Sequence, residues 1–159
     1  MKKSSGISQE AIKYFAMLTM LINHIGSIFM PEHSIESSLM KAIGYFTAVT
    51  MCYFLVEGYY HTSSKERYSR RLLIFAIVSQ LPYMLAFSGE SIITFHVFNM
   101  DIPFPGFSMI FTLWICFQLL ITLEDSNIAD RKAYAIGLVC ITGLGDWPFL
   151  APLFVWAFR

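Results

Sequence analysis

The sequence predicts an all-α protein, a polytopic bundle of about six transmembrane helices with its N-terminus in the cytoplasm. Three observations point there: charge is scarce, the apolar runs are long, and basic residues gather in alternate connectors. Of the 159 residues, 56% are apolar and 14% are charged, where an ordinary globular chain carries roughly 25% charged residues. A soluble fold of this size needs a charged exterior, and this chain has little to build one from. Lipid is the solvent that fits.

The first span is read at residues 11–30. Twenty residues rising about 1.5 Å each cross a hydrocarbon core of about 30 Å. Further spans follow at 39–60, 71–87 and 107–123. The last two, 133–145 and 147–158, are short for crossing. They are either two tightly turned spans in thinned lipid or one broken hairpin. All six are expected to form a single integral membrane domain over residues 1–159.

The connectors set the orientation. Lys2, Lys3 and Lys13 flank the first span, and Lys65, Arg67, Arg70 and Arg71 lie between the second and third. Arg131 and Lys132 precede the fifth, and Arg159 follows the sixth. The intervening connectors hold no Lys or Arg. Threading six spans from an inner N-terminus puts ten of the eleven basic residues inside, with Lys41 left over. That is the positive-inside pattern. The expected location is a bacterial cytoplasmic (inner) membrane.

The first apolar run is longer than the core of a signal peptide, and no small-x-small cleavage pattern follows it. Cys52, Cys116 and Cys140 each fall inside a predicted helix, without metal-ligand spacing, and are read as small packing residues. No metal is expected. There is no basic, aromatic-rich surface for nucleic acid, no Gly-rich phosphate loop and no internal repeat.

Polar side chains at membrane depth cost on the order of 2.5–3.5 kcal/mol at a helix centre, so each needs a reason. His24 shares a helical face with Met17, Met20 and Ile28, while Asn23 points about 100° away with Thr19. A neutral imidazole there is either a general base for an acceptor hydroxyl or amine, or a hydrogen bond that glues helices. Thr47, Thr50, Phe54, Glu57 and His61 form one stripe down the second span, and Glu57 and His61 are spaced to pair. The basic cluster after them, with Tyr68, either holds the phosphates of a nucleotide-bearing acyl donor or only fixes the topology.

Ser79-Gln80-Leu81-Pro82 is expected to break the third span, lining a cavity or making a packed kink. Ser108 and Thr112 share a face of the fourth span. The long connector 88–106, with His96, Asn99 and Asp101, is read as a cover on the outer side. Asp146-Trp147-Pro148 makes the last outer turn. His24 lies roughly 20 Å from the cytoplasmic start of its helix and Glu57 about 5 Å from the cytoplasmic end of its own. Two layers are therefore expected, rather than a direct dyad.

The residues resemble a known family. Lys13-Tyr14-Phe15-Ala16-Met17 leading to Asn23-His24-Ile25-Gly26 is similar to the opening of the TraX family, bacterial membrane proteins named for the conjugative-pilus acetylase that modifies a pilin N-terminus. The similarity continues through Phe54-Leu55-Val56-Glu57-Gly58-Tyr59, His61-Thr62, Tyr68, Arg71-Leu72-Leu73, Ser79-Gln80-Leu81-Pro82-Tyr83 and Phe111-Thr112-Leu113, and reaches Asp146-Trp147. Asn23 stands where the family pattern has Asp, Tyr45 and Val49 where it has Arg and Pro, and Ser108 where it has Asn. Family members also run on into further helices, so the chain resembles a shortened or divergent member.

The resemblance implies a membrane acyltransferase using acetyl-CoA or another acyl-CoA as co-substrate. Its acceptor would be exported or membrane-embedded: a pilin or other protein, a peptide N-terminus, or a hydroxyl such as that of a glycan precursor. His24 is then the base, Asn23 its orienting neighbour, and Glu57 part of the catalytic set. His61, Tyr68, Arg70 and Arg71 take the donor, and Ser79, Gln80, Ser108, Thr112 and Asp146 the acceptor. The other classes to weigh are a non-catalytic membrane partner of a pilus or secretion system and a small transporter subunit.

Overall fold

The computed structural model describes residues 8–31, 34–87, 89, 93–97, 100–125 and 130–159. They form six helices, α1 (Gln9–Phe29), α2 (Ile35–His61), α3 (Lys65–Ala86), α4 (Met109–Glu124), α5 (Arg131–Thr142) and α6 (Leu150–Phe158). Each predicted span coincides with one of them, and the helical class holds. Between α3 and α4 lies an antiparallel hairpin of β1 (Ile93–Val97) and β2 (Met100–Phe104), in register from Ile93↔Phe104 to Val97↔Met100. The hairpin occupies the long connector read as an outer cover, and Ile93-Thr94-Phe95 and Val97 supply the β-branched and aromatic content that favours strands. Asn99 lies outside the described residues.

Helix starts depart from the apolar boundaries because caps, not hydropathy, decide where a helix begins. The Ser34 hydroxyl accepts from the Ser37 amide at 3.0 Å, so α2 begins four residues before the apolar run. Ser64 accepts from the Arg67 amide at 3.4 Å and draws the basic cluster into the first turns of α3. Ser108 does the same for Phe111 at 3.4 Å, starting α4 at Met109. The expected break at residues 79–82 is absent: α3 continues through Pro82 to Ala86. Proline removes one helical N–H, but the side chain of Gln80, just before it, is anchored to the entry of α4 and holds that turn in place.

By packing, the chain divides into two compact units that meet between Met51 and Cys52, within α2. In the first, α1 and the opening part of α2 run antiparallel along a seam of small residues: Ala16, Thr19, Asn23 and Gly26 face Ser37, Met40, Gly44 and Thr47. The Thr19 and Thr47 hydroxyls lie 2.7 Å apart and reach the Ala16 carbonyl at 2.9 and 3.0 Å. Their two protons serve that carbonyl and the contact between them. The Ser37 hydroxyl donates to the Gly26 carbonyl at 3.2 Å. A Cβ at Gly26 would come within 2.6 Å of Met40 Cβ, and one at Gly44 within 2.5 Å of Asn23 Cγ. Small residues thus let the backbones approach, as in membrane helix pairs.

The outward faces are apolar, with Tyr14, Leu18, Leu21 and Phe29 on α1 and Leu39, Ile43 and Phe46 on α2 all exposed. Helices α1 and α2, of 21 and 27 residues, are long and apolar enough to cross a membrane. The chain has the build of a membrane protein.

The second unit is organised around α4. Its 16 residues are apolar on every side, and Leu113, Cys116, Phe117, Leu119 and Leu120 are buried; a helix apolar all round belongs at a centre. Helices α3, α5 and α6 pack on it, and Tyr59, from the end of α2, meets Phe117 edge to face at 5.4 Å. The 12 residues of α5 rise about 18 Å, short of a full crossing. The turn from α5 to α6 is tied to the entry of α4: the Phe107 amide donates to the Leu144 carbonyl at 2.8 Å and the Asp146 amide to the Phe107 carbonyl at 2.9 Å.

The seam gives a first prediction. Gly44→Leu puts side-chain atoms where Asn23 stands and lowers the thermal midpoint in detergent, by the equivalent of about 1–3 kcal/mol, the usual cost of overpacking. Ile43→Leu, one residue away on the exposed face, leaves the midpoint unchanged within about 0.5 kcal/mol. Equal melting of the two variants would contradict the close packing.

Candidate functional site

His24 sits half-buried on α1, and its Nδ1 lies 2.8 Å from the Met20 carbonyl one turn earlier. A carbonyl can only accept, so Nδ1 carries the proton and the basic lone pair of the neutral ring is on Nε2. The preceding residue, Asn23, points into the seam, its side chain against Gly44. The bond that sets the imidazole therefore comes from the backbone of its own helix. No residue type announces this bond, because any residue supplies that carbonyl.

The second group of expected site residues spans the end of α2 and the start of α3. His61 is exposed, and its Nδ1 lies 2.9 Å from the backbone carbonyl of Glu57. The spacing that suggested a carboxylate–imidazole pair thus yields a side-chain-to-backbone bond. Glu57 is half-buried, and Arg70 and Arg71 are exposed. Tyr68 parts company with the arginines. Its ring stacks on Phe117 at 4.8 Å, and its hydroxyl lies over Gly58, where a Cβ would meet it at 2.9 Å. Burial pushes the Tyr68 phenol above its ordinary pKa.

Tyr59, to which no role was assigned, and Lys65, of the basic cluster, complete this corner. Tyr59 is 1% exposed, and Lys65 Nζ donates to its hydroxyl at 2.7 Å while lying 4.0 Å from its ring centroid. Lys65 is thereby fixed against an aromatic surface. Nearby, Trp114 Nε1 donates to the Ser69 hydroxyl at 3.2 Å, and that hydroxyl donates to Gln118 Oε1 at 3.0 Å. The spacing Ser69–Leu72–Ala76 puts Ser69 on the inward stripe of α3, the one signal in the sequence that could have found it. Its partners, 45 and 49 residues away, could not have been read.

The third group comes together as one connected set. Ser79 and Ser108 hydroxyls are 3.1 Å apart. The Gln80 amide donates to the Gly106 carbonyl at 2.7 Å and accepts from the Ser108 amide at 2.9 Å, pairing with the chain as a strand neighbour would. The Thr112 hydroxyl donates to the Ser108 carbonyl at 3.2 Å. Asp146 joins through its backbone amide. Ser79, Gln80, Ser108, Thr112 and Asp146 are thus neighbours, and these bonds hold the ends of α3 and α4 and the α5–α6 turn together. His24 is described in one packing unit and the other two groups in the second.

Taken together these features define a class: a helical membrane protein that keeps a half-buried imidazole on one helix and exposed basic residues on another. The family is specific. A family model described as TraX protein matches residues 8–146, and the chain belongs to that family. Among curated proteins, it is 32% identical over 89 residues to a "Probable fimbrial assembly protein FimC, serogroup H1" of Dichelobacter nodosus. That match covers 55% of this chain and 36% of the relative, so the chain spans about a third of that protein's length. No solved structure matches.

Two outcomes follow for the polar groups. Replacing Gln80 with Leu strands the Gly106 carbonyl and the Ser108 amide. We expect the loss of about 1–3 kcal/mol per buried group and faster hydrogen exchange at the Ser108 amide; unchanged exchange there would rule the clamp out. For Tyr68, a raised pKa means that the stability contributed by its neutral phenol is complete below about pH 10, the ordinary phenol value, and is lost as pH rises through the elevated one. Tyrosinate absorbance should show a late-titrating component that disappears in Tyr68→Phe.

Proposed function

We propose that this chain is a membrane-embedded acyltransferase that moves an acetyl or other acyl group from acyl-CoA to an exported or membrane-embedded acceptor, such as a pilin or peptide N-terminus or a hydroxyl. The observation that supports the proposal is a half-buried imidazole in a chain of the TraX family: Nδ1 of His24 lies 2.8 Å from the Met20 carbonyl, so Nε2 is the nitrogen that would act as the base. In this scheme Nε2 takes the proton from the acceptor as its nitrogen or oxygen attacks the thioester carbonyl. The new C–N or C–O bond forms as the C–S bond breaks. Coenzyme A leaves as the thiolate and takes the proton back from the imidazolium.

The positive-inside pattern supports a multi-pass protein of the bacterial inner membrane with its N-terminus in the cytosol. The donor then enters on the side where His61, Arg70 and Arg71 are exposed, and guanidinium groups suit its phosphates. Tyr68 contributes by fixing the start of α3 that carries the arginines. Glu57 stands one turn from His61 and is assigned to the donor entrance. The polar set around Gln80 lies at the opposite ends of α3 and α4 and is assigned to the acceptor side.

A second reading is favoured by the printed name of the Dichelobacter nodosus relative: a non-catalytic membrane partner in pilus or fimbrial assembly. Radiolabelled acetyl transfer by the purified protein separates the two. The enzyme reading predicts transfer that falls by about a hundredfold or more in His24→Ala, the range of a lost general base, with CoA binding retained. Equal turnover in the two proteins removes His24 from the mechanism. Absence of both transfer and CoA binding, with a pilin co-purifying, supports the second reading.

A further inference from the structure

The second unit holds a feature that acyl transfer does not use. Between α4, α5 and α6 runs an open groove of about 440 Å³, walled by Leu120, Leu123, Ile136, Val139, Leu153 and Trp156 among others. Among the described residues, Arg159 is the single charged one in its wall. Leu153 and Trp156 are 57% and 71% exposed, so the groove opens outward rather than into the core.

The charges at one end identify what fits. Arg131 and Lys132 stand one helical turn before Ala135 and Ile136, which line the groove, and therefore on the same face of α5. Arg159 stands one turn after Val155, which also lines it. Helix α5 begins and α6 ends at this same end, beside the C-terminal end of α4, where Arg159 Nε donates to Glu124 Oε1 at 3.0 Å. A guanidinium has further N–H donors to offer. Asp130, the acidic residue adjacent in sequence, lines a separate depression with Ala133 and Tyr134 on another face of α5. Three cations thus rim one end of an otherwise apolar channel, with Glu124 and the α4 cap residue Asp125 as the acidic groups at that helix end.

We propose that this groove is a binding site for an anionic phospholipid, with one acyl chain along the α4–α5–α6 channel and the phosphate at Arg131, Lys132 and Arg159. The wall is hydrocarbon, and the surrounding medium supplies hydrocarbon chains. The basic end faces the cytosolic leaflet, where basic pockets between helices take anionic head groups. The inference uses the membrane threading but not the acyl-transfer chemistry, so either can fail without the other.

The test is native mass spectrometry of the full chain, released from nanodiscs of phosphatidylglycerol or of phosphatidylcholine. The wild-type protein is expected to retain one phosphatidylglycerol, in preference to phosphatidylcholine. Replacing Arg131, Lys132 and Arg159 by Gln removes the preference, at about fivefold per charge, while chain binding persists. Leu153→Trp, at an exposed position that spares the core, obstructs the channel and loses both lipids. Circular dichroism confirms that each variant is folded. Retention without head-group preference in the wild type, or equal retention by folded Leu153→Trp, overturns the proposal.

Discussion

The constraint on which the structure depends is that a polar group surrounded by apolar side chains must find its partner within the protein. Water is not there to serve it, and an unpaired group costs several kcal/mol. Among the described residues, no buried side-chain nitrogen or oxygen lacks a partner. The commonest solution is local: the hydroxyls of Thr50, Ser79, Thr112, Thr122 and Thr142 turn back to carbonyls three or four residues earlier in their own helices. Between helices the same chemistry becomes adhesive, as at Thr19, Thr47 and Ala16.

That constraint also shapes the reading of the site. A polar residue at membrane depth invites a catalytic role, and many here have a structural partner. Gln80 uses both ends of its amide on backbone groups, and Tyr68 is committed to Phe117 and Gly58. His24 and His61 share one arrangement, each with Nδ1 against the backbone carbonyl four residues earlier. One nitrogen is held by a backbone carbonyl, and the hold selects the tautomer whose other nitrogen is basic.

Much of this was legible in the sequence, and the reasons for the remainder are physical. Apolar length located all six helices, because burial or lipid contact leaves its mark on every residue of a span. Pro82 misled: a proline signals the loss of one hydrogen bond, but whether a helix yields depends on tertiary support, here the Gln80 clamp on residues 106 and 108. The hairpin was missed since its ten residues sit in a connector read for its polar side chains rather than for Ile93, Phe95 and Val97. At the site, Ser79, Gln80, Ser108 and Thr112 stood out singly as polar residues in apolar spans, and only the fold shows the bonds that join them. The pairing of Lys65 with Tyr59 was not, since six residues apart across a helix break is no standard spacing.

The proposed sidedness puts the connector from α2 to α3 in the cytosol and the apolar faces in lipid. A membrane-impermeant thiol reagent applied to intact cells tests it, using Arg67→Cys in a background where Cys140, the exposed native cysteine, is Ser. The account predicts labelling only after the inner membrane is permeabilised. Prompt labelling from outside would invert the threading and take with it both the entry of the donor and the leaflet assigned to the lipid.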